Sequence, residues 1–397
     1  MPRFGREQTP DGHTRASTLE LFYDLVFVFA ITQVSHYLLA HHQEHLNWEG
    51  AGQAAVILAA VWWSWNYTTW TTNELNTESP AVRGMVIAVM LASLLMAIAI
   101  PEAWGERALL FAGSYVAIQV GRHTFLAFAA GTKGSIVRIR ASRILLWFVA
   151  SGVFWIAGAL VDGGAARTAL WLIALAIDLT APFVTYHVPG LERMRPEVWN
   201  VTSEHFSERF QLFVIIALGE SIVITGATAA GLELKDETVA AFVVAFLGSA
   251  ALWWLYFNRA AERLAGHLER ADNRTLVARD IYTYLHIAVI AGIIVTAVGD
   301  ELLINHPGEP LATNQLVVLV AGPVIYLAAL SVIRFRAAGS ISRKRTAAAV
   351  VIAVVGLIFQ DASALLIATL ILVVLVALIA AEEHSRTPGP IVSVDRE

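Results

Sequence analysis

Two stretches decide how this chain is read: Leu19 to Ala40, LELFYDLVFVFAITQVSHYLLA, and His205 to Thr225, HFSERFQLFVIIALGESIVIT. The first is mostly apolar and, at 1.5 Å per residue, extends about 33 Å as a helix, enough to cross a bilayer. It nevertheless opens on two acids, Glu20 and Asp24, one helical turn apart and so on one face. In the second, Glu208 enters the apolar run from the same end, and Glu220 follows about 18 Å further along. Two helices that carry acids into an apolar medium set the problem that the other elements must solve.

The rest of the composition agrees with a membrane environment. Of 397 residues, 57% are hydrophobic and only 15% charged, whereas a soluble domain carries roughly 25% charged residues. The expected class is an all-α integral membrane protein. The absence of cysteine excludes disulfides, thiolate chemistry and Cys-ligated metal centres. No small-residue cleavage site follows the first apolar run, which is therefore expected to be a retained helix rather than a signal peptide.

Apolar runs between charged punctuation predict twelve transmembrane helices, at about 19–40, 50–73, 82–101, 107–129, 143–161, 166–186, 207–230, 238–258, 277–299, 312–333, 346–360 and 362–381. Only Gln360-Asp361 separates the last two, which read either as a tight hairpin or as one interrupted segment. The basic residues support the count. Of 27 Lys and Arg, 22 fall on the side of the termini, three (Arg107, Arg167, Lys235) on the other side, and two (Arg122, Arg209) within spans. That bias predicts cytoplasmic termini.

The two halves also echo each other, which predicts two parallel six-helix repeats. Trp62-Trp63 returns as Trp253-Trp254, and Arg83 opens its span as Arg279 does. The expected division is a cytoplasmic segment at 1–17, a first repeat at 18–187, a cytoplasmic linker at 188–206, a second repeat at 207–381 and a cytoplasmic tail at 382–397.

The run Glu20-Leu-Phe-Tyr-Asp24-Leu-Val-Phe-Val-Phe-Ala-Ile-Thr-Gln33, with Glu208-Arg-Phe and Leu218-Gly-Glu-Ser221, resembles the bacterial low temperature requirement A (LtrA) family over nearly the whole chain. Trp62-Trp-Ser-Trp-Asn-Tyr67 suits that family as well. The resemblance implies a bacterial multi-spanning inner-membrane protein named for a cold-growth phenotype, with no established biochemical activity. Phe22-Tyr-Asp24-Leu-Val-Phe27 and Phe206-Ser-Glu208 are also similar to the Phe-Ser-Asp helices of the lysosomal and bacterial potassium channels built from six-helix repeats. In those channels such helices line the pore. The arginine that precedes the channel motif is not evident here, so that likeness is an analogy.

Ionisable groups inside spans mark either a pathway or a buried pair. Glu20, Asp24 and Glu208 lie within about 9 Å of the cytoplasmic face by helical rise. They either pair with Arg83, Arg122, Arg209 or Arg279 and clamp helix ends, or form a cation vestibule. Asp178 and Glu220 lie nearer mid-membrane with no cation at their depth on their own helix. Each is either a protonated carboxyl held by Ser or Thr, or a substrate or proton site. His36, His123 and His286 read as packing residues or proton carriers. His41, His42, Glu44 and His45 read as a polar outward loop, with metal capture as the alternative. A di-metal site from His205, Glu208, Glu20 and Asp24 would need a second His-bearing helix, which is missing. Trp62, Trp63, Trp65 and Trp70 read as part of an interfacial aromatic belt.

No P-loop, nucleophile elbow, zinc-protease or nucleotide motif is present, so no enzyme activity, cofactor, metal or nucleic-acid partner is expected. The expected partners are the lipid bilayer, a small cation or solute and, for assembly, a second copy in a homodimer. The function expected is a channel or transporter for a small cation, proton or solute, along a path lined by the first and seventh spans. The alternatives are an intramembrane enzyme using Glu220 or Asp178 on a lipid-borne substrate, and a non-transporting scaffold that supports growth in the cold.

Overall fold

The computed structural model describes residues 16–40, 48–196, 199 and 201–384. The expectations for the first 15 residues, for His41, His42, Glu44 and His45, and for the tail beyond His384 lie outside the described residues. Within them the chain is all-helical, with one isolated bridge between Pro310 and Ser363. The helices are α1 (Thr18–Ala40), α2 (Trp48–Glu74), α3 (Pro80–Ala99), α4 (Ala108–Thr124), α5 (Ile136–Leu160), α6 (Gly164–Thr180) and α7 (Ser203–Ala230). They continue as α8 (Asp236–Leu255), α9 (Ala261–Arg270), α10 (Arg274–Val277), α11 (His286–Asn305), α12 (Thr313–Ala338), α13 (Arg343–Ile358) and α14 (Ala364–His384). Three π-helical stretches extend these rods: Phe125–Ala130 after α4, Tyr256–Ala260 after α8 and Ala278–Leu285 before α11.

Local chemistry sets several ends. Pro80 opens α3, where a missing N–H costs nothing. Ser135 caps α5 by accepting from the Arg138 amide, and Gly339 stops α12 at φ 65°. Among the described residues, eight helical stretches are long and apolar enough to cross a membrane. α4, α6 and α13 are shorter, at 17, 17 and 16 residues, and α2 is diluted by the polar run Asn66 to Asn73. Large apolar side chains point outward, among them Leu21, Phe22, Leu25 and Phe29 on α1 and Val153 and Leu160 on α5. In water this surface would be a liability; lipid suits it.

Neighbour relations repeat along the chain. α1 packs on α2 and α3, α3 on α4, α4 on α5, α5 on α6, and α2 on α6. Likewise α7 packs on α8 and α11, α11 on α12, α12 on α13, α13 on α14, and α8 on α14. α1 meets α7 and α11 between the two sets. The last two apolar runs form a hairpin of separate helices. The amides of Ala364 and Leu365 bond to the carbonyls of Glu309 and Pro307, which pins its turn.

One expectation fails. Trp62, Trp63 and Trp65 are not an interfacial belt, since each is at most 1% exposed in the core. Their rings fill the space between helices. The Trp62 indole donates to the Thr283 carbonyl at 2.7 Å and stacks edgewise on Phe210 and Phe213. Trp70 is half-buried and donates to Thr283 Oγ1 at 2.9 Å. Trp253 and Trp254, the matching pair in sequence, are 46% and 45% exposed.

Candidate functional site

The contact between α1 and α7 is built from one stripe of α7. Arg209, Phe213, Ala217 and Glu220 recur at helical spacing and all are buried. Arg209 therefore faces α1, while Glu208, about 100° around the helix, does not. The Arg209 guanidinium lies 2.5 Å from Asp24 and 3.3 Å from Glu20. Trp65 of α2 donates its indole N–H to the same Asp24 oxygen at 2.8 Å. His205, one turn before Arg209, places Nε2 at 3.1 Å from Glu20 and Nδ1 at 3.2 Å from Asn73 Oδ1. Ser17 closes the cluster, its amide and hydroxyl both donating to Glu20.

The side chains of Glu20, Asp24, His205 and Arg209 are no more than 1% exposed. Burial of such a pair is costly unless each charge is met, and here Arg209, Trp65, His205 and Ser17 all converge on the carboxylates. Glu208 instead accepts the Ala16 amide at 2.9 Å and is half-buried. The cation between the acids is thus an arginine, and no group of three or more metal-binding side chains occurs among the described residues.

The other predicted partners lie elsewhere. Arg83 pairs with Glu78 and Arg279 with Asp280. Arg122 is fully buried, donates to Thr68 Oγ1 at 2.9 Å and to Gln119, and lies 5.6 Å from the centre of the Tyr67 ring. It makes no ion pair among the described residues. Asp178 is held by the Tyr115 hydroxyl at 2.7 Å and the Trp155 indole at 3.0 Å, both on one oxygen. The Ser151 hydroxyl faces the same carboxyl, so serine and aromatic donors share in holding it.

Beyond Arg209 the seam closes on rings: Phe213 sits 6.4 Å from Phe27 and 4.1 Å from Trp65. Past this plug, about 16 Å from Arg209 by helical rise, comes Glu220. It is 2% exposed, and its Oε1 has no hydrogen-bond partner among the described residues. Its polar neighbours across the seam are Thr32 and His36 of α1, and His36 also interacts with Glu301 of α11. Ser221 bonds to Ser249 at 2.8 Å, and a side chain at Gly219 would meet nothing within 4 Å. His123 bonds to the Gln119 carbonyl, and His286 to Tyr256 and the Ile281 carbonyl.

Sequence reasoning missed Asp300. The apolar run in the sequence ends at Gly299, but α11 continues to Asn305 and carries Asp300 inside, 6% exposed, with Oδ2 unpartnered among the described residues. Helical phase from Thr296 would have indicated it.

No solved structure matches the chain. A protein of Rhizobium meliloti (strain 1021) described as "Uncharacterized protein RA0937" is 37% identical over 326 residues, which cover 81% of this chain and 78% of that protein. The model of the bacterial low temperature requirement A protein family (LtrA) matches residues 15–380. With a seam of buried charge between two long apolar helices and a match over almost its whole length, the chain belongs to the bacterial LtrA family.

Proposed function

We propose that the protein moves a small cation, proton or solute across the bacterial inner membrane along the seam of α1 and α7. The observation that carries this reading is Glu220, an enclosed carboxylate with an open oxygen on the face that meets α1. A carboxylate in such a place is costly and is retained where charge must visit. The path has an acid at either end, with Phe27, Trp65 and Phe213 as the closed gate between Asp24 and Glu220. All twelve apolar rods cross the membrane and both termini lie in the cytoplasm, the 22-to-3 bias of basic residues supporting that arrangement. The matching neighbour order of α1–α6 and α7–α14 supports two parallel six-helix repeats.

The full enclosure of the Arg209 cluster favours one second reading, a scaffold in which these charges only lock the halves together. Flux separates the two. Liposomes holding the protein should pass protons or a monovalent cation faster than empty ones, and Phe213→Ala should raise that flux by opening the gate. A folded Phe213→Ala protein with no flux above empty liposomes for any of these ions favours the scaffold.

A further inference from the structure

Positive charge gathers at one place where the apolar rods give out. A half-open basin of about 600 Å³ lies between the π-helical stretch Tyr256–Ala260 with α9, the end of α12 and the start of α13. That volume falls within the range of small-ligand sites. The walls bring together Arg259, Arg263, Arg270, Arg334 and Arg343, none of which makes an ion pair among the described residues. Nη2 of Arg259 is buried and has no hydrogen-bond partner among them either. Lys344 and Arg345 also line the basin but are taken up, Lys344 by the Ala381 carbonyl and Arg345 by Glu382 at 2.8 Å.

A bias of basic residues toward one membrane face accounts for arginines scattered over loops. It does not make five of them converge unmatched on one concavity. The basic stretch around the start of α5 is the contrast. There Arg140 is joined to Glu74, Arg143 donates to the Glu192 carbonyl at 2.6 Å and Arg138 lies 5.2 Å from the centre of the Phe128 ring. Unmatched like charges in the basin repel one another, and a phosphate-bearing anion among them relieves that repulsion with charge-assisted hydrogen bonds. The surroundings choose among such anions. Ile341 and Arg343 of the basin wall also border a shallow groove with Val350 and Val351 of α13, both exposed. By helical rise Val350 lies about 10 Å beyond Arg343, so the groove leads from the charges along an outward apolar face. A soluble anion would use the basin alone. A lipid uses both, its phosphate among the arginines and a chain along the groove.

We infer that this basin and groove form a binding site for an anionic phospholipid, whose phosphate headgroup lies among these five arginines. The site does not depend on transport along the α1–α7 seam. Native mass spectrometry of the purified full chain in a neutral detergent, titrated with dioleoylphosphatidylglycerol, counts the bound lipid. Saturable binding is expected, at least about tenfold tighter than that of zwitterionic dioleoylphosphatidylcholine. Arg263→Gln with Arg343→Gln, both exposed, should weaken it at least about tenfold, since each basic group at a lipid surface contributes several-fold. If that pair lowers the melting temperature, Arg263→Gln with Arg270→Gln replaces it. Arg193→Gln with Arg195→Gln, the same loss of charge at exposed positions outside the basin, should leave the affinity unchanged. Glycerophosphoglycerol, the same headgroup without chains, and inorganic phosphate should each compete at least about tenfold more weakly than the lipid. Binding that never saturates, equal affinity for phosphatidylcholine, equal weakening by the two kinds of arginine pair, or wild-type affinity in a folded basin variant would each overturn the site. Glycerophosphoglycerol or phosphate binding as tightly as the lipid would make a soluble anion the ligand and overturn the lipid assignment.

Discussion

Arg209 of α7 reaches Asp24 of α1 at 2.5 Å across 185 residues of sequence, and both side chains are sealed from solvent. This contact joins the two halves of the molecule at one end of their seam. It also fixes the rotation of α7, and therefore places Glu220 on the face turned to α1.

Removing that cation should be costly. Arg209→Ala leaves two buried carboxylates facing each other, with an expected loss of about 3–5 kcal/mol. Combining Arg209→Met with Glu20→Gln and Asp24→Asn should recover much of it, since no buried charge then lacks a partner. Melting in detergent, followed by size exclusion, checks both. A single variant as stable as wild type would show that the cluster does not hold the halves.

Trp65→Phe keeps an aromatic ring, a smaller one, and deletes the indole donor to Asp24. The expected loss is about 1.5–3 kcal/mol, as for other hydrogen bonds to charged groups. Trp63→Phe, whose indole nitrogen has no partner among the described residues, should lose less in the same melt.

Glycines separate close from open helix contacts. A Cβ on Gly322 would lie 2.5 Å from the Thr296 amide nitrogen, and one on Gly292 would lie 2.7 Å from that of Tyr326. Small residues let α11 and α12 approach this closely. Alanine at either should destabilise by about 1–3 kcal/mol or more, as overpacking does, whereas Gly219→Ala should leave the melting temperature unchanged.

Much of this was legible in the chain. Apolar length marked the eight helical stretches that are long and apolar enough to cross a membrane among the described residues, because bilayer thickness is a strong constraint on sequence. The acids of the first helix and Glu220 stood out as charge within apolar runs. Rotation was not legible: Glu208 and Arg209 are neighbours, and only packing shows that the arginine faces inward and the glutamate outward. The tryptophans misled for a related reason. An indole suits a membrane interface and a crowded core equally well, and Trp62 and Trp65 find their partners on other helices. Asp300 was hidden because a charged residue after a glycine reads as a loop.

Three rods, α4, α6 and α13, fall short of the usual length, and the cysteine-free chain allows a direct test of their crossing. Single cysteines at Lys133 and Asp162 should be labelled from opposite sides of intact cells. The same holds for Arg107 against Lys133, Asp162 against Arg193, and Ser340 against Asp361. Same-side labelling of any pair removes the span between them. A pair on either side of α4, α6 or α13 is the most informative.

The central claim is that charge visits Glu220. The most direct measurement is ion flux in liposomes, as a function of pH, for wild type and Glu220→Gln at equal amounts of folded protein. Glutamine keeps the shape of the side chain but can neither ionise nor release a proton. The account predicts a variant with wild-type melting temperature whose flux is lost or no longer responds to pH. Wild-type flux with wild-type pH dependence in Glu220→Gln would contradict it.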